Sequence, residues 1–289
     1  MRIAVVAASS RFDDRALVES SLAPILADYP GAEIDFRVVE GEDNASVHFA
    51  GGDDVRLAKL LAAANDERVD AIWFARGGYG ANRVAHGLLA GLDLGVARRK
   101  KWLGYSDVGF LLAGLYARGC TVAHGPMAKE VLNYPGGKEA VRRSLNWLTG
   151  RSGEGLEPSL VAGQSYAAFN ISVFAALLGT ALEPDLSGHV LMLEELDEHL
   201  YATDRDLYRI ANNAAVQRIA GLRLGRVQVK LERDGDCKPR PLPFDESAEE
   251  IARRWCRDCD IPFLGAADIG HDSANKVVPF GRFGPLAPL

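Results

Sequence analysis

The sequence predicts an α/β protein, with a doubly wound parallel sheet in its first half and a smaller α/β unit after it. Three observations carry this. Short apolar runs that read as strands alternate with stretches of helical period. The segment VDAIWFA, residues 69–75, is continuously apolar, as strands covered on both faces are. A Gly- and Ser-rich stretch at 149–165, TGRSGEGLEPSLVAGQS, has no helical period and separates the halves. We therefore place a first domain at 1–150, a linker at 151–165 and a second domain at 166–289.

In chain order, Arg2 to Ala7 reads as a buried strand. A helix follows over about Asp13 to Tyr29, with Leu17, Leu22, Ile25 and Leu26 inward. Ala32 to Val39 alternates through Ile34, Phe36 and Val38 as a second strand. Asp53 to Ala64 reads as helix. Val69 to Ala75 is the third strand, ending in Arg76-Gly77-Gly78-Tyr79-Gly80 before a helix from Ala81 to Leu89. Lys101 opens an apolar strand that turns at Gly104-Tyr105-Ser106-Asp107 into a helix bearing Val108, Leu111, Leu112 and Leu115. Thr121 to Ala123 is a short strand ending in His124-Gly125-Pro126, and the helix Gly137 to Leu148 closes the half. Beyond the linker, Asn170 to Leu178 reads as helix, Gly188 to Leu193 as strand and Asp204 to Ala214 as helix. Ile219 to Leu231 is a long strand. A Pro-rich loop, the helix Ser247 to Asp258 and a last strand, Pro262 to Ala266, complete the reading.

Composition narrows the function. At 289 residues, 48% hydrophobic and 25% charged, the chain has an ordinary globular make-up. A net charge of −6 without a basic stripe argues against a nucleic-acid or anionic-membrane partner. Arg98-Arg99-Lys100-Lys101 is the one dense basic run and reads as a solvated loop. No apolar segment approaches the roughly 20 residues of a membrane span, and the N-terminal run is too short for a signal-peptide core. The expected location is the cytoplasm. Cys120 lies in an apolar strand and Cys237 stands alone. Cys256 and Cys259 form a C-x-x-C on a helical stretch with no second ligand pair, so a metal or redox role is disfavoured.

Ligands of open α/β sheets sit at the carboxyl ends of the strands. Ser106 at such an end has its hydroxyl lifted from the sheet, with the Asp107 amide directed at a developing oxyanion. Ser-Asp as an ordinary helix cap fits these residues equally. Arg76-Gly77-Gly78-Tyr79-Gly80 lacks both G-x-G-x-x-G and the Lys and Ser/Thr of a P-loop, which disfavours a phosphate site. An oxyanion donor, the Gly78 amide, suits the turn better. A serine nucleophile needs a base and an orienting carboxylate. Of six histidines, His124 at a strand end and His271 in a Gly-containing loop are best placed. Glu194 reads first as one member of a solvated acidic run with Glu195, Asp197 and Glu198. If the strand continues, Glu194 and Glu195 face opposite ways, with Glu194 at the cleft.

Together these segments resemble the LD-carboxypeptidase family of serine peptidases, which includes the microcin-immunity-type enzymes. The resemblance rests on Arg76-Gly77-Gly78-Tyr79-Gly80 with Arg83, Gly104-Tyr105-Ser106-Asp107, His124-Gly125-Pro126-Met127, Leu193-Glu194 with Asp204-Arg205, Asn170, Leu178-Gly179-Thr180, and Gly270-His271 with Pro279-Phe280-Gly281. It implies a flavodoxin-like N-terminal domain, a smaller α/β C-terminal domain, a homodimer, and no metal or cofactor. It further implies a triad of Ser106 as nucleophile, His271 as base and Glu194 as its orienter. The oxyanion hole maps to the Gly78 and Asp107 amides, and substrate contacts to Arg76, Tyr79, Phe169 and Asn170. The implied reaction removes the terminal D-alanine of murein tetrapeptides during cytoplasmic cell-wall recycling. The family's Gly-Gly-Asn is Ala168-Phe169-Asn170 here, its N-terminal Pro is Ala8, and the chain ends soon after Gly281. A bulky Phe169 is expected to reshape the pocket. Two alternatives are a microcin-immunity-type amidase on aminoacyl-nucleotide mimics, which needs an aromatic shelf, and a non-catalytic cell-wall-peptide binder.

Overall fold

The structure, a computed structural model, describes residues 1–38, 46–133, 135–151, 153–232 and 238–284. The first half alternates as expected: β1 (Arg2–Val6), α1 (Arg15–Leu26), β2 (Glu33–Phe36), α2 (Asp53–Ala64), β3 (Ala71–Phe74), α3 (Ala81–Gly91), the short α4 (Leu94–Ala97), β4 (Lys101–Gly104), α5 (Gly109–Ala117), β5 (Thr121–His124), α6 (Glu130–Asn133) and α7 (Gly137–Thr149). Its parallel strands run in the order β2-β1-β3-β4-β5, the flavodoxin-type winding. All of β3 is buried, as its continuous apolar run requires when helices cover both faces.

The second half contains β6 (Ser165–Asn170), α8 (Ile171–Leu177), β7 (His189–Glu198), α9 (Leu200–Ala211), β8 (Gly221–Val229), the small strands β9 (Leu231–Glu232) and β10 (Arg240–Pro241), α10 (Ala248–Asp258) and β11 (Phe263–Ala266). Two short strands follow, β12 (Val278–Pro279) and β13 (Gly281–Arg282). The second sheet runs β11-β8-β7-β6-β13, parallel except for β13. Ser247 caps α10 through a capping box with Glu250.

Several expectations need correction. Leu17 is 57% exposed, and Val18 takes the inward position beside Leu22 and Ile25. The strand β6 lies at the end of the expected linker, at the head of the expected helix. SYAAFN contains no β-branched residue, so its strand character comes from pairing with β7. The division into halves also breaks at the C-terminus, because β12 pairs antiparallel with β5 in the first sheet. The expected linker is itself tied down: the Glu157 amide donates to Val277 O at 3.0 Å and the Gly163 amide to Phe283 O at 2.8 Å. The expected strand end at Val39 and Cys237 lie outside the described residues. One apolar core runs between the sheets, where Phe110, Leu111 and Leu115 of α5 join Phe169, Phe174 and Leu177. No helix among the described residues is long and apolar enough to cross a membrane.

Candidate active site

The serine comes first because its backbone is unusual. After β4, Tyr105 is extended and Ser106 has φ +61°, one of three described non-glycine residues in the left-handed region. Such a conformation costs energy in an L-residue and persists only where the surroundings enforce it. It is the geometry of a nucleophile elbow. A single 3₁₀ turn, Ser106–Val108, then leads into α5. The turn after β3 lies against this elbow. A Cβ on Gly77 would come within 2.9 Å of both Cβ and Oγ of Ser106, so only glycine permits the approach. Gly78 has φ +113°, and a Cβ there would collide with Ser10 Oγ.

The histidine arrives from the other sheet. His271 lies in the loop after β11, and its Nδ1 donates to Glu194 Oε2 at 2.6 Å. Glu194 stands on β7, fully buried. Burial opposes protonation of His271, but the Glu194 charge and hydrogen bond, reinforced by Glu130 and Glu195, raise its pKa above the ordinary value. Several side chains brace this loop. Gln228 Nε2 donates to His271 O at 3.0 Å, and Arg226 forks onto Asp272 while its Nη1 reaches Asp268 at 2.6 Å. Arg143, on α7 of the first half, donates to the carbonyls of Ser273 and Asn275.

A cleft of about 470 Å³ opens between these elements, with Arg76, Gly78, Ser106, Asp107, Asn170 and His271 in its walls. Two expected contacts are placed differently. Phe169 is 1% exposed, stacked on Phe174 at 4.9 Å and edge-on to Phe280 at 5.1 Å, so it fills the core under α5 and does not line the cleft. Strand alternation explains this, since its neighbour Asn170 is the one that turns to the cleft. Tyr79 is half-exposed and packs near His48 and Phe49, outside the cleft lining. His124, the other candidate base, is buried, bonded to Asn275 at 3.4 Å and held neutral by burial, with its pKa near 3.

The acidic run is not solvated at its start. Glu195 is as buried as Glu194 and accepts from Asn170 Nδ2 at 2.5 Å, the Ser172 amide at 2.9 Å and the Leu196 amide at 2.9 Å. Asn170 Oδ1 in turn caps α8 through the Val173 amide. Burial raises the Glu195 pKa to about 7. Asp197 is exposed and Glu198 half-buried. Glu130 carries no signal in the sequence, yet it is a buried carboxyl in the cleft wall that accepts from the Met127 amide at 3.0 Å and is raised to about 7 by burial. Nothing in its local pattern distinguishes it from a surface residue of a short helix. In the C-x-x-C, Cys256 is buried and its thiol pKa is pushed up to about 11.

Two α/β units meet over a cleft at their strand ends, and the family that the chain matches is one of hydrolases. The N-terminal domain of LD-carboxypeptidases matches residues 3–125 and the C-terminal domain matches residues 166–285; the chain belongs to the LD-carboxypeptidase family. It is 29% identical over 250 residues to the "Probable murein peptide carboxypeptidase" of Bacillus subtilis, covering 82% of this chain and 75% of that one. It is 24% identical over 303 residues to the murein tetrapeptide carboxypeptidase of Pseudomonas aeruginosa, covering 97% and 91%. Among solved structures, the muramoyltetrapeptide carboxypeptidase of Oxalobacter formigenes superposes with a TM-score of 0.75 at 20% identity, over 99% of this chain and 96% of that one. The microcin C7 self immunity protein MccF in complex with aspartyl sulfamoyl adenosine gives 0.73 at 17% identity, over 97% and 91%. At such identities the superpositions show the shared fold.

Proposed function

We propose that the protein is a serine carboxypeptidase that cleaves the L,D-peptide bond to the terminal D-alanine of a murein tetrapeptide. The observation that carries this is the His271–Glu194 pair at 2.6 Å, set in a cleft whose facing wall presents a strained Ser106. With Nδ1 committed to Glu194, His271 Nε2 is left to take the Ser106 proton. Ser106 Oγ then attacks the scissile carbonyl, and the oxyanion is received by the Gly78 and Asp107 amides. Collapse expels D-alanine, which takes its proton from His271. A water activated by the same imidazole hydrolyses the acyl-enzyme. Arg76 lines the cleft with no carboxylate partner among the described residues, and its guanidinium suits the free carboxylate of the leaving residue.

The reading as an amidase on nucleotide mimics calls for an aromatic shelf. Apart from His271, the described cleft lining has one aromatic side chain, Tyr105, and it is buried. We therefore favour the murein peptide. The expected homodimer is a separate proposal, for sedimentation to test. The decisive assay incubates the protein with synthetic tetrapeptides ending in D-Ala or L-Ala and identifies products by mass. Release of D-Ala alone, lost in Ser106→Ala, is the expected result. No cleavage of either peptide would reject the proposal.

A further inference from the structure

The two proposed oxyanion donors belong to different loops, Gly78 after β3 and Asp107 after β4. Donors of this kind must hold a separation fixed to a few tenths of an ångström, and loops on rigid strand ends still need ties between them. We infer that the Asp107 side chain is a positioning residue, joining the two donor-bearing turns into one rigid unit; the inference rests on the oxyanion-hole reading above.

The buried carboxylate of Asp107 accepts from the Ala81 amide at 2.8 Å, with the Gly80 amide also directed at it. Ala81 is the first residue of α3, three positions beyond Gly78. The residue whose backbone would supply one donor thus grips, with its side chain, the end of the turn that would supply the other. The rest of that turn is held at almost every step. Gly77 lies against Ser106, and the Tyr79 amide donates to Ser10 Oγ at 3.0 Å. Gly80 O accepts from Arg56 Nη1 at 2.9 Å; Arg56 is fully buried and also reaches Ala8 O and Asp53. Within this grip the Gly78 amide has no acceptor among the described residues, as a donor kept for a ligand requires.

A helix N-cap takes Ser or Asn as readily as Asp, and a buried one, Asn170 on α8, carries no charge. Asp107 is 3% exposed, and burial raises its pKa above the ordinary carboxyl value against the Ser9 hydroxyl, the Ala81 and Gly80 amides and nearby Arg56. A buried carboxyl bonded across two turns fits a demand for exact spacing better than a demand for helix stability alone.

The test uses Asp107→Asn, which keeps the shape but removes the charge and exchanges one of the two acceptor oxygens for an NH2 donor. The expected loss in kcat is on the order of 10²-fold, comparable to removing one oxyanion donor. Affinity for an uncut tetrapeptide, measured in the Ser106→Ala background, should stay within a few-fold. Affinity for a peptide boronic acid, whose tetrahedral adduct on Ser106 carries the oxyanion, should fall in step with kcat. A residue that merely supported folding would lower melting temperature and yield but leave boronate affinity of the folded fraction unchanged, and that result would overturn the inference. So would unchanged kcat. If Asp107→Asn does not fold, Ser10→Ala loosens the same turn at Tyr79. It should cost roughly three- to tenfold in both kcat and boronate affinity, as the loss of one neutral hydrogen bond does, and no change in either would overturn the inference. An active Ser106→Ala would instead reject the serine mechanism itself, so the two failures are distinguishable.

Discussion

The two walls of the cleft are built in opposite ways. On the first-sheet wall, Ser106 and the Gly77–Gly80 turn come from adjacent strands β3 and β4, and backbone conformation places them: a left-handed serine, a left-handed Gly78 and a glycine that admits close contact. On the second-sheet wall, His271 and Glu194 lie 77 residues apart and meet through one long-range hydrogen bond. Its loop is braced by Gln228 and Arg226 from β8 and by Arg143 from the opposite half. The first wall is built on two adjacent strand ends of one sheet, tied by Asp107, Ser10 and Arg56. The second depends on how the sheets are held together.

The largest effects should separate the proposed nucleophile from the proposed base. Ser106→Ala should lower turnover on the order of 10³-fold or more while leaving the melting temperature near the parent's, because it also relieves little packing. Activity within tenfold of the parent would remove Ser106 from the mechanism. Glu194→Gln should lower kcat by roughly 10² to 10⁴ and change the pH profile as well. The parent's acid limb should lie above pH 6.5, because the proposed base, His271, must be neutral to act and is raised above that value, against burial, chiefly by Glu194. Activity is thus lost as pH falls through the raised pKa. In Glu194→Gln that limb should move to lower pH, and an unmoved limb in kcat/KM would show that the titrating group is not His271.

Phe169→Ala tests the seam between the walls rather than either wall. Removing a ring 1% exposed should destabilise by about 3–5 kcal/mol, read by denaturant unfolding, with specificity between D- and L-terminated peptides unchanged. A change in specificity without loss of stability would return Phe169 to the pocket. Glu195→Gln should act through Asn170 and cost about tenfold in kcat, whereas Asp197→Asn and Glu198→Gln stay within a few-fold. Parallel kinetics on the three variants decide this.

The smallest effect concerns the buried carboxyl Glu130. Its folded pKa of about 7 exceeds that of an unfolded glutamate, so the folded state favours the protonated form. That contribution to stability is full below about pH 4.5 and is lost as pH rises through 7. Glu130→Gln should therefore flatten the fall in melting temperature between about pH 5 and 8. An unchanged slope would mean that Glu130 is not the group responsible.

The sequence by itself determined the first wall. Apolar runs of strand length, glycines at strand ends and a serine before an apolar helix are local signals, and the backbone obeys them locally. It also named His271 and Glu194, through a resemblance spread along the chain. Only the tertiary structure decided which neighbours were buried. Glu194 and Glu195 are identical in type and adjacent, and both are buried where the run was expected to be solvated. One bonds His271 and the other bonds Asn170, because β7 lies inside the second sheet with a register shift against β8 between Leu193 and Glu195. Likewise β6 and β12 carry little strand signal of their own, six residues without β-branching and a Val-Pro pair, and become strands through partners far away in the chain. Phe169 followed the same rule: a side chain's face is set by strand pairing, and pairing is a property of the assembled sheet.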